Sequence, residues 1–315
     1  MTKKTLIASL LLSLTAYAHA ASAPIHLTIG GAIKNSSRMN ITPERSRIDV
    51  LVVLSQILTF SVRALLLVAL AWPIARFLPQ WKGALAAVPV WAMFLIILLI
   101  DDYLNYWLHR MAHQWPLLWR LHKPHHTPTY LNVLMAGREN AFYYFLVPAL
   151  WMAPVLIYLG AGTASAVVFG FKGVVTLLQH TCYRWDLQVR RYRAGRLMLD
   201  IVEKVVVLQD FHHAHHGIGR YGNASSNYGN ILCVWDVLHG TTRQSRPRRQ
   251  DAYGVPAGMP VEPGMVQLFW PLLRDGRSSQ KQGTPLAQSS EAALAAADAV
   301  IVTASGVAIA VMSQA

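Results

Sequence analysis

Nine of the thirteen histidines fall into a spaced series. HRMAH carries His109 and His113, HKPHH carries His122, His125 and His126, a Gln-His pair carries His180, and HHAHH carries His212, His215 and His216. Neutral imidazole is the commonest side-chain metal ligand at physiological pH, because an unperturbed pKa near ~6.5 leaves a ring nitrogen free to bind. One histidine on an apolar face is more often a satisfied core residue, but so many at regular spacing point to more than one metal ion. Asp102 to His113 reads as the end of an apolar helix. Residues four apart on a helix lie roughly 5–6 Å apart at Cβ on one face, so His109 and His113 can grip one ion. In the other two clusters the H-x-x-H-H spacing sets an outer pair three apart beside an immediate neighbour, which a helical turn can aim at a second ion. The three clusters can converge to enclose two metals. Imidazole suits iron and zinc alike, so ligand type leaves the metal open.

The elements that must hold this series are apolar. The chain has 315 residues, 54% of them hydrophobic and only 14% charged, which is too apolar for an ordinary soluble domain. A membrane-spanning helix needs roughly 20 apolar residues. Suitable stretches run from about Val50 to Trp72, Ala84 to Leu108, Ala141 to Leu159 and Thr163 to Leu178. The expected fold is therefore all-α and integral to a membrane, with about four transmembrane helices in two hairpins. Arg63 and Lys172 are the charges inside those stretches. Each costs about 2.5–3.5 kcal/mol at a helix centre, and snorkelling or a shifted boundary is expected for them ahead of pairing.

Between Asp101 and Thr242 the chain resembles the fatty acid hydroxylase and sterol desaturase superfamily. The resemblance rests on DYLNYWLHRMAH, WRLHKPHH from Trp119 to His126, Gln179-His180, HHAHH, and NYGNILCVWDVLHGT from Asn227 to Thr241. It covers a little under half of the chain, with order, spacing and flanking aromatics all in agreement. It implies an integral membrane, non-haem di-iron oxygenase of lipids, with a helical, histidine-rich cytoplasmic cap over a four-helix anchor. The nine histidines would then hold two iron ions, dioxygen would be the co-substrate, and a lipid would be hydroxylated or desaturated. Its substrate would be a fatty acyl chain, sterol or hopanoid, carotenoid or ether lipid. Electrons would come from a separate cytochrome b5- or ferredoxin-type donor with its reductase, because no such domain is seen in the sequence.

The chain departs from the family pattern at three places. A histidine often stands two residues after an arginine downstream of the second cluster, whereas here Arg138 is followed by Glu139 and Asn140. Asn140 can ligate, hold a metal-bound water, or do neither. His239 stands where the closing motif usually has an aromatic residue, and it reads as a substitution ahead of a group acting on the ligands. His213 lies outside H-x-x-H-H and is expected to make a hydrogen bond beside the ligands. Metal-bound histidines usually donate their second N–H to a carboxylate or carbonyl, which makes Asp102 and Asp236 candidates, with a capping or ion-pair role equally open to each.

The net charge of +13 is concentrated beside the spans. Clustered Arg and Lys there set topology and meet anionic headgroups, and no nucleic-acid-binding motif accompanies them. Arg110, Arg120, Lys123 and Arg138, then Arg184, Arg190, Arg191, Arg193 and Arg196, put the histidine loops in the cytoplasm by the positive-inside rule, with the bacterial inner membrane as the expected location. Residues 1–20 look like a secretory signal. Cleavage would leave the first histidine clusters outside, so an uncleaved interfacial segment or an extra span is expected, within an N-terminal region 1–48. The catalytic domain is expected at 49–242, followed by a basic, Pro/Gly-rich and then Ala-rich segment at 243–315. Its apolar island from Met265 to Leu273 can pack on the cap or lie on the bilayer. Cys182 and Cys233 form no disulfide framework, and Cys182 reads as a small buried residue. Two rival functions are a zinc-dependent membrane hydrolase and a metal transport or storage protein. The first leaves five or six histidines idle, and the second calls for ionisable residues facing one another within the spans.

Overall fold

A computed structural model of the chain describes residues 43–219, 221–243, 250, 252–256 and 258–275. The signal-like start, most of the basic stretch at 243–250 and the Ala-rich tail lie outside these residues. The described chain is mainly helical. Helix α1 spans Pro43–Phe77, α2 Val90–Gln114, α3 Pro116–His126, α4 Pro148–Tyr158, α5 Gly162–His180, α6 Trp185–Val189, α7 Arg193–Val202 and α8 Gln209–His216. Short helices α9 (Val234–Leu238) and α10 (Gly264–Phe269) follow, and β1 (Gly217–Ile218) pairs antiparallel with β2 (Ala252–Tyr253), Gly217 opposite Tyr253.

Among the described residues, three helices are long and apolar enough to cross a membrane: Val50–Phe77, Val90–Gln114 and Gly162–His180. Along the first, Leu54, Leu58, Phe60, Leu65, Val68 and Trp72 are all exposed, an apolar surface suited to lipid rather than water. The second begins later than the sequence suggests, because Pro89 stands at its N-cap after a run of turns. It also continues past Leu108 to carry HRMAH. The expected third span is not one continuous helix. A 3-10 turn at Tyr143–Phe145 gives way to α4, which starts with Pro148 at its first position. Proline has no N–H to give and clashes with the carbonyl four residues back, so it favours a new start. At 1.5 Å per residue, α4 is about 16 Å long, roughly half of a ~30 Å apolar layer.

Helices α2 and α5 pack through Met93, Ile97 and Leu98 against Ala164 and Val168, and Ile231 and Leu232 complete this cluster. Alanine at 161 and 164, both buried, lets the backbones come close. Lys172 corrects the expectation of snorkelling, because it is buried and ion-paired with Asp101, with Asp102 Oδ1 3.6 Å away. Two carboxylates on the facing helix offset the cost of placing this ammonium inside the bundle. Arg63 is only half-buried, its guanidinium 5.6 Å from the Phe60 ring.

The island after residue 260 packs on the protein: Leu268 is 1% exposed. Lys123 Nζ on α3 reaches Glu262 Oε2 at 2.5 Å and the Pro260 carbonyl at 2.9 Å. Arg120 lies over the Trp270 ring at 4.5 Å. The second histidine helix is thus braced by a segment more than a hundred residues away.

Removing one partner of a buried ion pair costs about 3–5 kcal/mol, while replacing both by apolar residues is often neutral. Lys172→Met should therefore lower the unfolding free energy in detergent by roughly 3 kcal/mol or more, and adding Asp101→Leu should recover part of it. Equal stability of Lys172→Met and the parent would show that the pair does not hold α2 to α5.

Candidate metal centre

Four helices deliver the nine histidines. His109 and His113 lie one turn apart on α2, His122, His125 and His126 lie on α3, His180 is the last residue of α5, and His212, His215 and His216 lie on α8. Eight are fully buried and His109 is partly so. Their ligand atoms form two groups, each within 4.8 Å of one another: His109, His113, His122, His126 and His215 in one, and His125, His180, His212 and His216 in the other. Each H-x-x-H-H run is divided between the groups. Helix α3 gives its four-apart pair, 122 and 126, to the first and 125 to the second, while α8 gives 212 and 216 to the second and 215 to the first. The working pairs are those four apart, because these share a helix face one turn up.

The distances suit an ion. His212 Nε2 is 3.0 Å from His180 Nε2 and 3.0 Å from His216 Nε2, and His125 Nε2 is 3.2 Å from His180 Nε2. In the first group the Nε2 atoms of His122 and His126 are 3.2 Å apart. Nitrogens bound about 2.0–2.1 Å from one metal at 90–110° to each other would be separated by about 2.8–3.4 Å. Among the described residues the Nε2 atoms of His109, His113 and His215 are buried with no hydrogen-bond partner, as expected of atoms kept for a ligand of another kind.

The opposite ring nitrogens fix which way the imidazoles face. His109 Nδ1 meets the Tyr228 carbonyl at 2.8 Å, His180 Nδ1 the Thr176 carbonyl at 2.7 Å, and His215 Nδ1 the Ser226 carbonyl at 2.7 Å. His122 Nδ1 meets Glu139 Oε1 at 2.9 Å. A carbonyl can only accept, so in the first three Nδ1 carries the proton and Nε2 is left bare. Burial holds His122, His125, His126, His212, His215 and His216 well below the usual imidazole pKa of 6.5. Neighbouring imidazoles push each further down. All six are therefore neutral at physiological pH, the form that binds metal.

The loop after α8 is built to supply two of those carbonyls, Ser226 and Tyr228. Asp236 accepts from the Tyr228 and Gly229 N–H groups at 2.8 and 2.6 Å and from the Thr241 hydroxyl at 2.7 Å. This turn needs glycine at 229, where a Cβ would stand 2.6 Å from the Leu232 carbonyl oxygen. Asn227 takes a left-handed φ of 58°, which asparagine tolerates better than most residues. Asp102 accepts from the N–H groups of Ile231 and Leu232 and from the Trp235 indole at 3.1, 2.9 and 3.1 Å. Both aspartates thus shape the closing loop and neither is bonded to a histidine; Asp236 acts on His109 only through the Tyr228 backbone.

Asn140 spends its amide on the fold, donating to the Gln267 and Trp270 carbonyls at 2.9 Å each and accepting from the Phe142 N–H. His213 Nδ1 pairs with the Tyr253 hydroxyl at 2.9 Å. His239 stacks on Tyr103 and Tyr106 and stands edge-on to Trp107, filling an aromatic place. Cys182 is exposed, contrary to expectation, and Cys233 is the buried thiol; Cys182 follows the end of α5 and faces out of the bundle. The residue that sequence reasoning passed over is Glu139. The need of ligating histidines for a carboxylate partner was a usable signal, but it was applied to Asp102 and Asp236 instead.

Residues 94–241 match the model of the family described as fatty acid hydroxylase. The ornithine lipid hydroxylase OlsE of Rhizobium tropici is 30% identical over 230 residues, 72% of this chain and 61% of that protein. Human alkylglycerol monooxygenase is 27% identical over 140 residues, 44% of this chain and 28% of the other. A Delta(7)-sterol 5(6)-desaturase of Aspergillus fumigatus is 28% identical over 162 residues, covering 49% of this chain and 40% of its own. The chain spans less than two thirds of the length of each of these curated relatives. No solved structure matches it.

A histidine whose folded pKa is depressed leaves the unfolded chain holding more protons between that pKa and ~6.5, so stability is lost as pH falls through this window. Seven histidines outside the spans, the six above and His213, act in this sense. Glu139 and Asp236, whose carboxyls burial pushes up, act in the opposite one. The chain stripped of metal by chelator should therefore unfold at a lower temperature at pH 5.5 than at pH 7.5, about 1.4 kcal/mol per pH unit for each net proton. A flat profile across that range would mean that these imidazoles are solvated.

Proposed function

We propose, for a chain that carries a fatty acid hydroxylase domain over residues 94–241, that it is a membrane-embedded oxidoreductase that uses dioxygen to hydroxylate or desaturate a lipid. The observation that carries this reading is the division of nine buried imidazoles into a group of five and a group of four. A single catalytic zinc, the hydrolytic alternative, needs three protein ligands and an open position, and would leave most of these nitrogens buried without a partner. The relatives are named as a lipid hydroxylase, a monooxygenase and a sterol desaturase, which supports a lipid substrate and oxygen chemistry.

In this proposal His109, His113, His122, His126 and His215 hold one iron, and His125, His180, His212 and His216 hold the other. Bound iron supplies the binding and reduction of dioxygen. With two electrons and two protons, hydroxylation places one oxygen atom in a C–H bond and releases one water, whereas desaturation removes two hydrogens and releases two waters. The protein's part is to keep the imidazoles neutral by burial, to aim their Nε2 atoms through the carbonyls of Thr176, Ser226 and Tyr228, and to exclude water. Asp236 acts by holding the Tyr228 turn, and Asp102 by tying that loop to α2. Electrons come from a separate donor of cytochrome b5 or ferredoxin type with its reductase.

The catalytic unit is residues 49–242, with residues 258–275 packed onto α3. Three spans and the half-length α4 make the membrane anchor, so that the second hairpin of a four-helix layout is entered part-way. The histidine cap faces the cytoplasm, in a bacterial inner membrane. The basic residues beside the centre support this side. On α7, Leu197, Met198 and Ile201 are exposed next to Arg193 and Arg196, the pattern of a helix lying in a headgroup layer.

The test uses the iron-loaded protein in lipid nanodiscs with a ferredoxin, its reductase and a bacterial lipid extract under isotopically heavy dioxygen. A lipid that gains one heavy oxygen atom, or loses two hydrogens, only when oxygen is present is the expected product. His125→Ala should abolish it while still inserting in the membrane. Oxygen-independent cleavage of an ester or amide, strongest with zinc, would replace this reading with the hydrolytic one.

A further inference from the structure

Glu139 sits between the two histidine groups. Its Oε1 is 2.9 Å from His122 Nδ1, in the group of five, and 3.8 Å from His125 Nδ1, in the group of four. His122 and His125 are three apart on α3 and therefore share a side of that helix, yet their Nε2 atoms serve different groups. The side chain is buried, and its Oε2 finds no hydrogen-bond partner among the described residues.

The backbone is strapped to α3 on both sides of this residue. Arg138 Nε donates to the Pro124 carbonyl at 3.0 Å, and the Asn140 N–H donates to the Leu121 carbonyl at 3.2 Å. These two bonds place the carboxylate over the stretch of helix that contains both histidines. The hydrogen bonds from Asn140 to the Gln267 and Trp270 carbonyls hold the strap from behind. A short chain pinned at each flank has little freedom, so the carboxylate position is set by the fold rather than by the histidines.

We propose that Glu139 is a positioning residue shared by the two metal sites, one carboxylate that orients a ligand of each and makes the two ions load as a pair. This inference rests on the two-metal reading above. A carboxylate that accepts the Nδ1 proton raises the basicity of the imidazole and fixes its ring, and loss of such a partner typically lowers metal affinity about 10–100-fold. His122 Nδ1 donates to it at 2.9 Å, whereas His125 Nδ1 at 3.8 Å lies beyond hydrogen-bond reach and meets only its charge, so the loss is felt at both sites and most at the group of five. It also places a negative charge beside two cations that nine neutral imidazoles leave uncompensated. The ordinary carboxylate–histidine arrangement serves one ion; here the helix spacing lets one side chain serve two.

The test isolates each site in the full-length protein. His212→Ala combined with His180→Ala disables the group of four, His113→Ala combined with His109→Ala and His215→Ala disables the group of five, and cobalt(II) is titrated into each chelator-stripped variant in detergent, followed by its visible absorption. Adding Glu139→Ala should weaken cobalt binding about 10–100-fold where the group of five remains, and by a smaller factor where the group of four remains. Glu139→Gln, which keeps the volume and an acceptor oxygen but not the charge, should fall between the parent and Glu139→Ala. A general loss of packing would instead lower the unfolding temperature of Glu139→Gln and Glu139→Ala alike without ordering their affinities. A loss confined to the background in which the group of five remains would show that Glu139 serves His122 alone, and unchanged affinity in both would remove it from the centre. Either result leaves the two-metal reading standing when the parent binds two cobalt ions. A parent that binds none ends both.

Discussion

Imidazole Nε2 atoms stand 3.0–3.2 Å apart in several pairs in the middle of this molecule, where two bare nitrogens repel each other unless a proton or a cation stands between them. His180 donates its Nδ1 proton to Thr176 and turns a bare Nε2 toward both His125 and His212. Water could relieve the repulsion but is excluded by burial, and protonation is opposed by burial and by the other imidazoles. A cation relieves all of these contacts at once. The fold can be understood as what is needed to hold nine neutral imidazoles facing inward against this repulsion.

Each of the four contributing helices is fixed by polar contacts that carry no metal chemistry themselves. Lys172 with Asp101 ties α5 to α2, Asp102 ties the closing loop to α2, and Lys123 with Glu262 braces α3 from beyond the family-matched region. Arg184, between Asp186 and Asp210, does the same for the start of α8. All of these are buried charges in partnership, expensive to assemble and costly to break. Their value lies in geometry, because a ligand nitrogen displaced by 1 Å no longer fits a bond of about 2.0–2.1 Å. The aromatic packing around His239 and Tyr228 closes the same face of the centre without a formal charge.

The histidine series itself was legible in the sequence, since residue type and spacing name both the chemistry and the helix faces. The division into five and four was only half legible. Spacing shows that 122 and 126 share a face, but not that 125 turns to another group, which depends on how α3 and α8 cross. The break before α4 was signalled by Pro148 and overlooked because the stretch around it is uniformly apolar. Pairing of Lys172 could not be read from its own neighbourhood, since its partners are some seventy residues away on α2. Glu139 was hidden for a similar reason: its role follows from the flanking bonds to α3, and a sequence does not show which carbonyls Arg138 and Asn140 will reach.

The central claim is that the nine histidines hold two ions. The most direct measurement is metal content per chain, by mass spectrometry, on protein expressed in iron-replete medium and purified in detergent. The account predicts two irons per chain. A chain with no iron after anaerobic reconstitution, or with a single tightly held zinc, would contradict it.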